Sequence, residues 1–246
     1  GTDPSDISVS FNGTPAEFEL VDESTIVATT PADYQTGSVT VTIHGYTMTG
    51  GAMFNPNSKG DVTVLYLQNY KQPFAKANDE SWKNGEWWTP AVWNQNAASF
   101  NAKGNTTVSG MQYKSEEGLT LAFQNGWDKE AYTNGKMWQV ATLRPGKYRL
   151  EVTYAYTLVV TDAGNFISVL IAKGDSESDI PNVADLEQLN GVYVAYDKMG
   201  TANDSGTLVT PSFEVTETTD VVIGFLTSLA KGNSYFKVTE LKLILE

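Results

Sequence analysis

The stretch that decides the fold is GKYRLEVTYAYTL, residues 146–158. Its apolar and aromatic side chains stand at every second position from Tyr148 to Leu158, and the intervening positions include Arg149, Glu151 and Thr153. Successive side chains of a strand point to opposite faces of a sheet. The alternation therefore predicts a strand with one buried face and one face in solvent.

The same period of two recurs along the chain, in shorter runs that begin near Val9, Val39 and Val238. Turn-forming pairs separate the runs, namely Asn12-Gly13, Gly50-Gly51, Asn125-Gly126, Asn134-Gly135, Pro145-Gly146, Asn190-Gly191 and Gly232-Asn233. Helical periodicity is scarce, and short helices are predicted only near residues 183–189 and within residues 74–83. Many short strands with frequent turns predict an all-β protein, built as a sandwich or a barrel.

Composition excludes several classes of function. The 246 residues include 16 Lys and Arg against 29 Asp and Glu, a net charge of −13, with one His and no Cys. Nucleic-acid binding needs clustered basic residues, and the basic residues here are scattered. The charge also argues against strongly acidic glycans as ligands. The absence of Cys excludes disulfides, thiolate zinc sites and thiol nucleophiles, and no segment reaches the roughly 18 apolar residues of a spanning helix.

A domain boundary is predicted in the segment NPNSKG, residues 55–60, because Asn, Pro, Ser and Gly concentrate there between apolar strands. A Thr- and Val-rich stretch without Trp precedes this segment, and all six Trp follow it. We therefore predict one domain at residues 1–57 and a second at residues 58–246.

The first domain resembles the second half of an IPT/TIG immunoglobulin-like domain. The resemblance lies in residues 9–45: a strand that ends in Phe-Asn-Gly at 11–13, a Thr-Ile-Val-Ala strand at 25–28 followed by Pro31, and a Gly-Ser-Val-Thr-Val strand at 37–41. The opening strand of that family has no counterpart here, and we expect it upstream of residue 1. The resemblance implies a partial Ig-like sandwich.

The second domain resembles an uncharacterised C-terminal family of galactose-binding-like jelly-roll sandwiches. Such domains stand behind immunoglobulin-like modules in surface lipoproteins of Bacteroidetes-type polysaccharide-utilisation loci. The motifs that carry this resemblance lie at residues 134–139, 143–148, 221–225 and 236–243. It implies a larger jelly-roll β-sandwich after the partial Ig-like one. It also implies an exported protein at the cell surface or in the periplasm, whose signal peptide has been removed, with a glycan-binding or structural accessory role.

The aromatic distribution is the main functional signal. Four of the six Trp lie in ESWKNGEWWTPAVWNQN, residues 80–96, where Gly, Pro and Asn indicate a loop. Sugar rings stack their C–H faces on indoles, and amides and carboxylates bind the hydroxyls. The predicted ligand-binding residues are Trp82, Trp87, Trp88, Trp93, Trp127, Tyr132, Glu86 and Asn94. The alternative is that these aromatic side chains form core, as is expected for Trp138.

Catalytic and metal sites have weaker support. The only His, His44, lies on the polar side of a strand in the first domain, away from any predicted triad partner. Adjacent carboxylates such as Glu116 and Glu117 are expected by chance among 29 acidic residues. Asp175, Glu177 and Asp179 alternate as in a calcium loop but lack its glycine and its final glutamate. We predict no cofactor, with a structural Ca²⁺ left open.

These observations favour noncatalytic glycan binding by a cell-surface lipoprotein that serves polysaccharide uptake, with the Ig-like module as a spacer. The expected partners are a neutral polysaccharide or oligosaccharide and an outer-membrane uptake complex, and no nucleic acid. A structural or protein-interaction sandwich is the alternative, and a glycoside hydrolase is a third class.

Overall fold

The computed structural model divides the chain into two compact units, residues 1–66 and residues 67–244. The residues that it describes are 3–55, 59–82, 87–98, 109–125, 131–159, 164–200, 204–230 and 234–246. Among these residues, none of the helices has the length and apolar character needed to cross a membrane.

The first unit is built from short antiparallel strands. Their bounds are β1 Ile7–Phe11, β2 Thr14–Ala16, β3 Phe18–Asp22, β4 Thr25–Ala28, β5 Gly37–Ile43, β6 Tyr46–Met53 and β7 Gly60–Asp61, followed by helix α1 Thr63–Tyr66. One sheet has the order β2-β1-β5-β6, and β3 and β4 form a separate hairpin. The predicted Asn12-Gly13 turn joins β1 to β2 with positive φ at both residues, 45° and 85°.

The alternating pattern of the first unit gives it a small core. Ile7, Val9 and Phe11 are buried on one face of β1. The ring of Phe11 packs edge-on against Tyr34 with 5.8 Å between centroids. By contrast, all eight residues of β6 are exposed, so the buried face of this sheet is confined to its central strands.

The second unit contains thirteen strands and one short α-helix among the described residues, together with a 3-10 turn at Glu177–Asp179. The strands are β8 Lys76–Trp82, β9 Trp87–Pro90, β10 Asn94–Gln95, β11 Ser109–Lys114, β12 Gly118–Asn125, β13 Tyr132–Leu143, β14 Gly146–Tyr154, β15 Phe166–Lys173, β16 Val194–Lys198, β17 Gly206–Val209, β18 Phe213–Val215, β19 Thr219–Leu229 and β20 Ser234–Leu245. The helix, α2, is Leu186–Leu189.

These strands form two sheets packed face to face. The five-stranded sheet has the order β10-β13-β19-β15-β16. The large sheet has the order β17-β14-β20-β12-β11-β9-β8, and β18 also pairs with β14. Phe225 of the five-stranded sheet reaches Phe123 and Phe236 of the large sheet, at centroid distances of 4.9 and 6.4 Å. The predicted all-β sandwich is confirmed.

The stretch that suggested the fold forms β14, and its alternation is confirmed. Tyr148, Leu150 and Val152 are fully buried, and the residues between them are more exposed. The strand ends at Tyr154, earlier than the alternation to Leu158 predicts, because the backbone turns at Tyr156 with a φ of 51°.

The two helix predictions have different outcomes. Residues 186–189 form α2 inside the predicted range. The helix predicted within residues 74–83 is wrong, since residues 76–82 form β8 at the end of the large sheet. The backbone N–H of Ala75 donates to the side chain of Asn69, 2.7 Å away, so this donor is used outside any helix.

Glycine at position 224 is required by the close approach of two strands, and we predict that Gly224→Ala destabilises the second unit by about 3 kcal/mol. A Cβ atom at this position would lie 2.1 Å from the carbonyl oxygen of Met137 on the neighbouring strand. Urea unfolding followed by tryptophan fluorescence tests this, because all six Trp lie between residues 82 and 138. Gly200→Ala is the control, since nothing lies within 4 Å of a Cβ there. Equal stability of the two variants would contradict the packing described.

Candidate functional site

The tryptophan-rich segment forms an edge of the large sheet. Strand β9 lies between β8 and β11, with Trp87 opposite Gln112 and Trp88 opposite Met111. Met111 is buried and shares its face with the inward-facing Leu121. Trp88 therefore points towards the interior side at this edge, and Trp87 points to the opposite side of the sheet, which we call the outer face.

The structure places the predicted site residues in different environments. Trp87, Trp93 and Tyr132 are buried, with exposed fractions of 3%, 5% and 7%. Trp88 is half-buried and Asn94 is exposed. The backbone of Trp82 lies in β8, opposite Trp87, whereas Glu86 and Trp127 lie outside the described residues. Trp93 and Tyr132 are buried in the sandwich, and Trp138, which was expected in the core, lies in a buried hydrophobic cluster. Trp87 is buried on the outer face.

Trp93 is held by a hydrogen-bond network around Asn69. Its indole N–H donates to the carbonyl oxygen of Asn69 at 3.0 Å, and its ring lies 5.7 Å from Phe225. The Asn69 amide donates in turn to the carbonyl oxygens of Ala75 and Ala91, both at 3.0 Å. Asn69 has a φ of 47°, a conformation that Asn tolerates better than most residues. These bonds account for the burial of Trp93.

Tyr132 also has a structural environment. Its hydroxyl lies 3.1 Å from the hydroxyl of Thr227, and the side chain is buried between strands β13 and β19. This burial raises the pKa of the Tyr132 phenol above its ordinary value. The side chain therefore stays neutral and hydrogen-bonded inside the sandwich.

The outer face carries two buried oxygen atoms without hydrogen-bond partners. Gln112 lies opposite Trp87 on one side and opposite Thr120 on the other. The Oε1 atom of Gln112 and the Oγ1 atom of Thr120 are buried, and neither has a partner. An unpaired buried acceptor costs about 1–3 kcal/mol, so such groups in native proteins call for an explanation.

The indole of Trp87 lies close to Gln112 because position 110 is a glycine. A Cβ at Gly110 would lie 3.6 Å from the Cε3 atom of Trp87 and 2.9 Å from the carbonyl oxygen of Trp88. A larger residue would push β9 away from β11. The glycine thus lets an aromatic ring lie on the outer face beside the unpaired acceptors.

A charged pair and a tyrosine continue the outer face on β20. Gly110 lies opposite Ala122, which lies opposite Lys237. The Lys237 ammonium is paired with the carboxylate of Glu117 and lies 5.4 Å from the ring centroid of Tyr235. Lys237 is 4% exposed, and Tyr235 is half-buried. An accessible aromatic ring, a charge pair and two free acceptors thus share one face.

Sequence reasoning missed the residues of this face. In β11 and β12 polar positions alternate with apolar ones, and this alternation assigns Gln112 and Thr120 each to the polar face of its own strand. The placement of Trp87 opposite Gln112, and of Lys237 on the same face opposite Ala122, depends on the order of the strands in the sheet, which the alternation does not contain.

The acidic residues considered for calcium have a structural role in the segment that follows β15. Oδ2 of Asp179 accepts hydrogen bonds from the backbone N–H groups of Asp175 and Ser176, each at 3.0 Å, and from the Ser176 hydroxyl at 2.6 Å. Oδ1 of Asp179 accepts a bond from Tyr193 at 3.1 Å. The Ser176 hydroxyl is the main cause that holds the pKa of Asp179 below its ordinary value.

A buried lysine, Lys136, also binds the segment that follows β15. The ammonium of Lys136 donates to the carbonyl oxygens of Glu177 and Ile180, at 3.2 and 2.6 Å. Burial lowers the pKa of Lys136, and the nearby Glu177 opposes this effect. Across the described ranges, no three His, Asp or Glu side chains lie close enough together to hold a metal ion.

His44 lies in the first unit, at the turn between β5 and β6. Its Nδ1 atom lies 3.1 Å from a carboxylate oxygen of Asp6, and both side chains are about half exposed. The φ of His44 is 48°, as the tight turn into Gly45 requires. The histidine therefore has a surface position with one acidic neighbour.

The fold is thus an all-β sandwich preceded by a small immunoglobulin-like unit, and the family comparisons agree with this organisation. The model of the family described as domain of unknown function DUF5013 matches residues 68–224, and the chain belongs to this family. Residues 1–58 match the IPT/TIG domain model, which confirms the resemblance seen in the sequence. None of the curated proteins matches the chain.

Carbohydrate-binding modules are among the solved structures that this chain resembles. TmCBM61, solved with β-1,4-galactotriose, is 11% identical over 72% of this chain and 92% of its own, with a TM-score of 0.34. The xylan-binding module CBM15 is 13% identical over 63% of this chain and 96% of its own, with a TM-score of 0.33. A candidate glycoside hydrolase of Bacteroides thetaiotaomicron VPI-5482 is 12% identical over 99% of this chain and 84% of its own, with a TM-score of 0.44.

The lowered pKa of Asp179 predicts a pH dependence of stability. A carboxylate whose pKa is lower in the folded state stabilises the fold above its unfolded pKa, and this contribution is lost as the pH falls through the folded value. We expect the second unit to lose stability from about pH 4 downwards. In Asp179→Asn this acid-induced loss should be smaller, since the titrating group is gone.

Thermal unfolding followed by tryptophan fluorescence at pH 7, 4 and 3 measures the effect. Asp175→Asn is the control, because the Asp175 carboxylate makes none of the bonds described for Asp179. An equal fall in Tm for the wild type and Asp179→Asn would contradict the assignment.

Proposed function

We propose that the protein is a noncatalytic carbohydrate-binding protein whose ligand contacts the outer face of the large sheet. The observation that carries this proposal is the partly exposed carboxylate of Glu117, which is paired with Lys237 beside the half-buried ring of Tyr235. Saccharide hydroxyl groups are donors, and they can bind such a carboxylate directly or through a bridging water molecule.

The aromatic side chains of the same face supply the second element of the proposal. The half-buried ring of Tyr235 offers a flat surface to the C–H face of a sugar. Trp87 lies on the same face, next to Gln112. Trp88 points to the other side of β9 and does not contribute to this face. A contact with an aromatic ring contributes on the order of 1 kcal/mol, by analogy with aromatic pairs.

The neutral character of the ligand follows from the charges of this face. Lys237 and Glu117 neutralise each other, and the chain as a whole carries a net charge of −13. A neutral polysaccharide or oligosaccharide meets no repulsion there. In this proposal the protein is a cell-surface lipoprotein, the IPT/TIG unit is a spacer, and the bound glycan is passed to an outer-membrane uptake complex.

Protein interaction is the second candidate function, and one feature favours it. Strand β6 lies at an end of its sheet, all eight of its residues are exposed, and none of them is charged. An edge strand without charges is a template for pairing with another strand. This candidate concerns the first unit alone and makes no use of the outer face of the large sheet.

Affinity electrophoresis in gels containing xylan, β-1,4-galactan, mannan or mixed-linkage glucan tests the proposal. We expect the wild type to be retarded by at least one of them, and Tyr235→Ala to bind about tenfold more weakly, as the loss of about 1.4 kcal/mol implies. Tyr46→Ala is the control, because Tyr46 is 80% exposed on the first unit. Lack of retardation in every gel, or equal binding by the two variants, would contradict the proposal. Release of reducing sugar would contradict its noncatalytic part.

The unpaired hydroxyl of Thr120 predicts an effect on stability without an effect on binding. Thr120→Val keeps the shape of the side chain but removes the buried acceptor, so we expect the protein to gain about 1 kcal/mol of stability. Saccharide affinity should be unchanged, because Thr120 is 0% exposed and does not contact a ligand. Urea unfolding and calorimetric titration measure the two quantities. A loss of stability would contradict the unpaired state of the hydroxyl.

A further inference from the structure

The pair formed by Lys237 and Glu117 has an unusual degree of burial for a surface-facing ion pair. The side chain of Lys237 is 5% exposed and that of Glu117 is 20% exposed. The lysine therefore has little contact with water, and Glu117 is its charged partner on the outer face. Removal of one member of a buried pair leaves the other charge uncompensated, which is strongly unfavourable.

Both members of the pair are held in place through their backbones. The N–H of Glu117 donates to the carbonyl oxygen of Lys114 at 3.1 Å, and the side-chain amide of Gln72 donates to the carbonyl oxygen of Glu117 at 2.8 Å. On the other side, the N–H of Lys237 donates to the hydroxyl of Thr157 at 3.1 Å. The carboxylate is thus brought to Lys237 by a fixed turn.

The position of the pair makes it a part of the outer face rather than of the sheet edge. Lys237 lies opposite Ala122 on β12. It is two residues along β20 from Tyr235, so the two side chains lie on the same face. Its ammonium lies 5.4 Å from the ring centroid of Tyr235, the ring to which we assign sugar stacking. A ligand stacked on Tyr235 therefore lies next to Glu117.

We propose that Glu117 is the residue that determines the ligand class, because its carboxylate neutralises the Lys237 ammonium and repels a second carboxylate. This inference rests on the proposed function and deepens it: the site accepts neutral sugar units and excludes uronic acids. Without Glu117, Lys237 would favour an acidic ligand, because the carboxylate of a uronic acid supplies the missing countercharge.

The test compares Glu117→Ala with Glu116→Ala, its exposed neighbour, so that both variants change the net charge equally. The probes are polygalacturonate and the neutral polysaccharide that the wild type binds. We expect the wild type and Glu116→Ala to bind the neutral polymer and not polygalacturonate. Glu117→Ala should bind polygalacturonate at least tenfold more tightly than Glu116→Ala does, and added salt should weaken this gain. Lys237→Met in the Glu117→Ala background should abolish it.

A second measurement keeps the test independent of polymer binding. Free galacturonate should raise the Tm of Glu117→Ala more than galactose does, because its carboxylate replaces the lost partner of Lys237. In Glu116→Ala, galacturonate should raise the Tm no more than galactose does. If Glu117→Ala does not fold, Glu117→Gln takes its place in the test. It retains the size of the side chain and should show the same preference for galacturonate to a smaller extent.

The outcomes separate this inference from the function on which it rests. Neutral polymer binding by the wild type together with equal polygalacturonate binding by Glu117→Ala and Glu116→Ala overturns the role of Glu117 and leaves the proposed function intact. Lack of neutral polymer binding by the wild type overturns the proposed function, whatever the variants do. A gain that persists in the Lys237→Met background also overturns the inference, since the gain then has another origin.

Discussion

The contact of Phe225 with Phe123 and Phe236 across the two sheets is the constraint on which the rest of the second unit depends. In a strand, successive side chains point to opposite faces, so one inward side chain determines the direction of its neighbours. With Phe236 inside, Tyr235 and Lys237 must point outwards. A shift of register by one residue would bury Lys237 in the sandwich and expose the phenylalanine. The aromatic contact therefore also positions the candidate site.

The outer face differs from an ordinary solvated sheet surface in its degree of burial. Gln112, Thr120 and Lys237 are all less than 5% exposed, although they point away from the aromatic core. Buried polar groups are usually paired, and Lys237 follows this rule through Glu117. Gln112 and Thr120 retain unpaired oxygen atoms. Each unpaired acceptor costs about 1–3 kcal/mol, so these two positions are the ones at which the outer face departs from that rule.

Much of the fold could be predicted because it follows from local patterns. The alternation in residues 148–154 reflects burial of one strand face, and the Asn12-Gly13 turn reflects the backbone preferences of two residues. The helix predicted within residues 74–83 failed because the segment bonds to partners distant in sequence, as when the N–H of Phe74 donates to Leu119. The end of β14 could not be predicted either, since the turn at Tyr156 accompanies pairing of Leu158 with Tyr235.

The candidate site shows the same division between local and distant information. A cluster of tryptophans in a Gly- and Asn-containing segment suggested an exposed binding loop, but burial of an indole depends on what packs against it. Trp93 is buried because Asn69 and Phe225 meet it from other parts of the chain. Tyr235 lies instead in a strand whose regular alternation gave no reason to single it out. The backbone of an aromatic residue in a sheet is fixed by the neighbouring strands. Its side chain therefore loses little conformational freedom when a ligand stacks on the ring. Rigid strands thus provide a better platform for stacking than a loop of the same composition, and this favours Tyr235 over the buried indoles of Trp87 and Trp93 as the residue proposed to stack on a sugar.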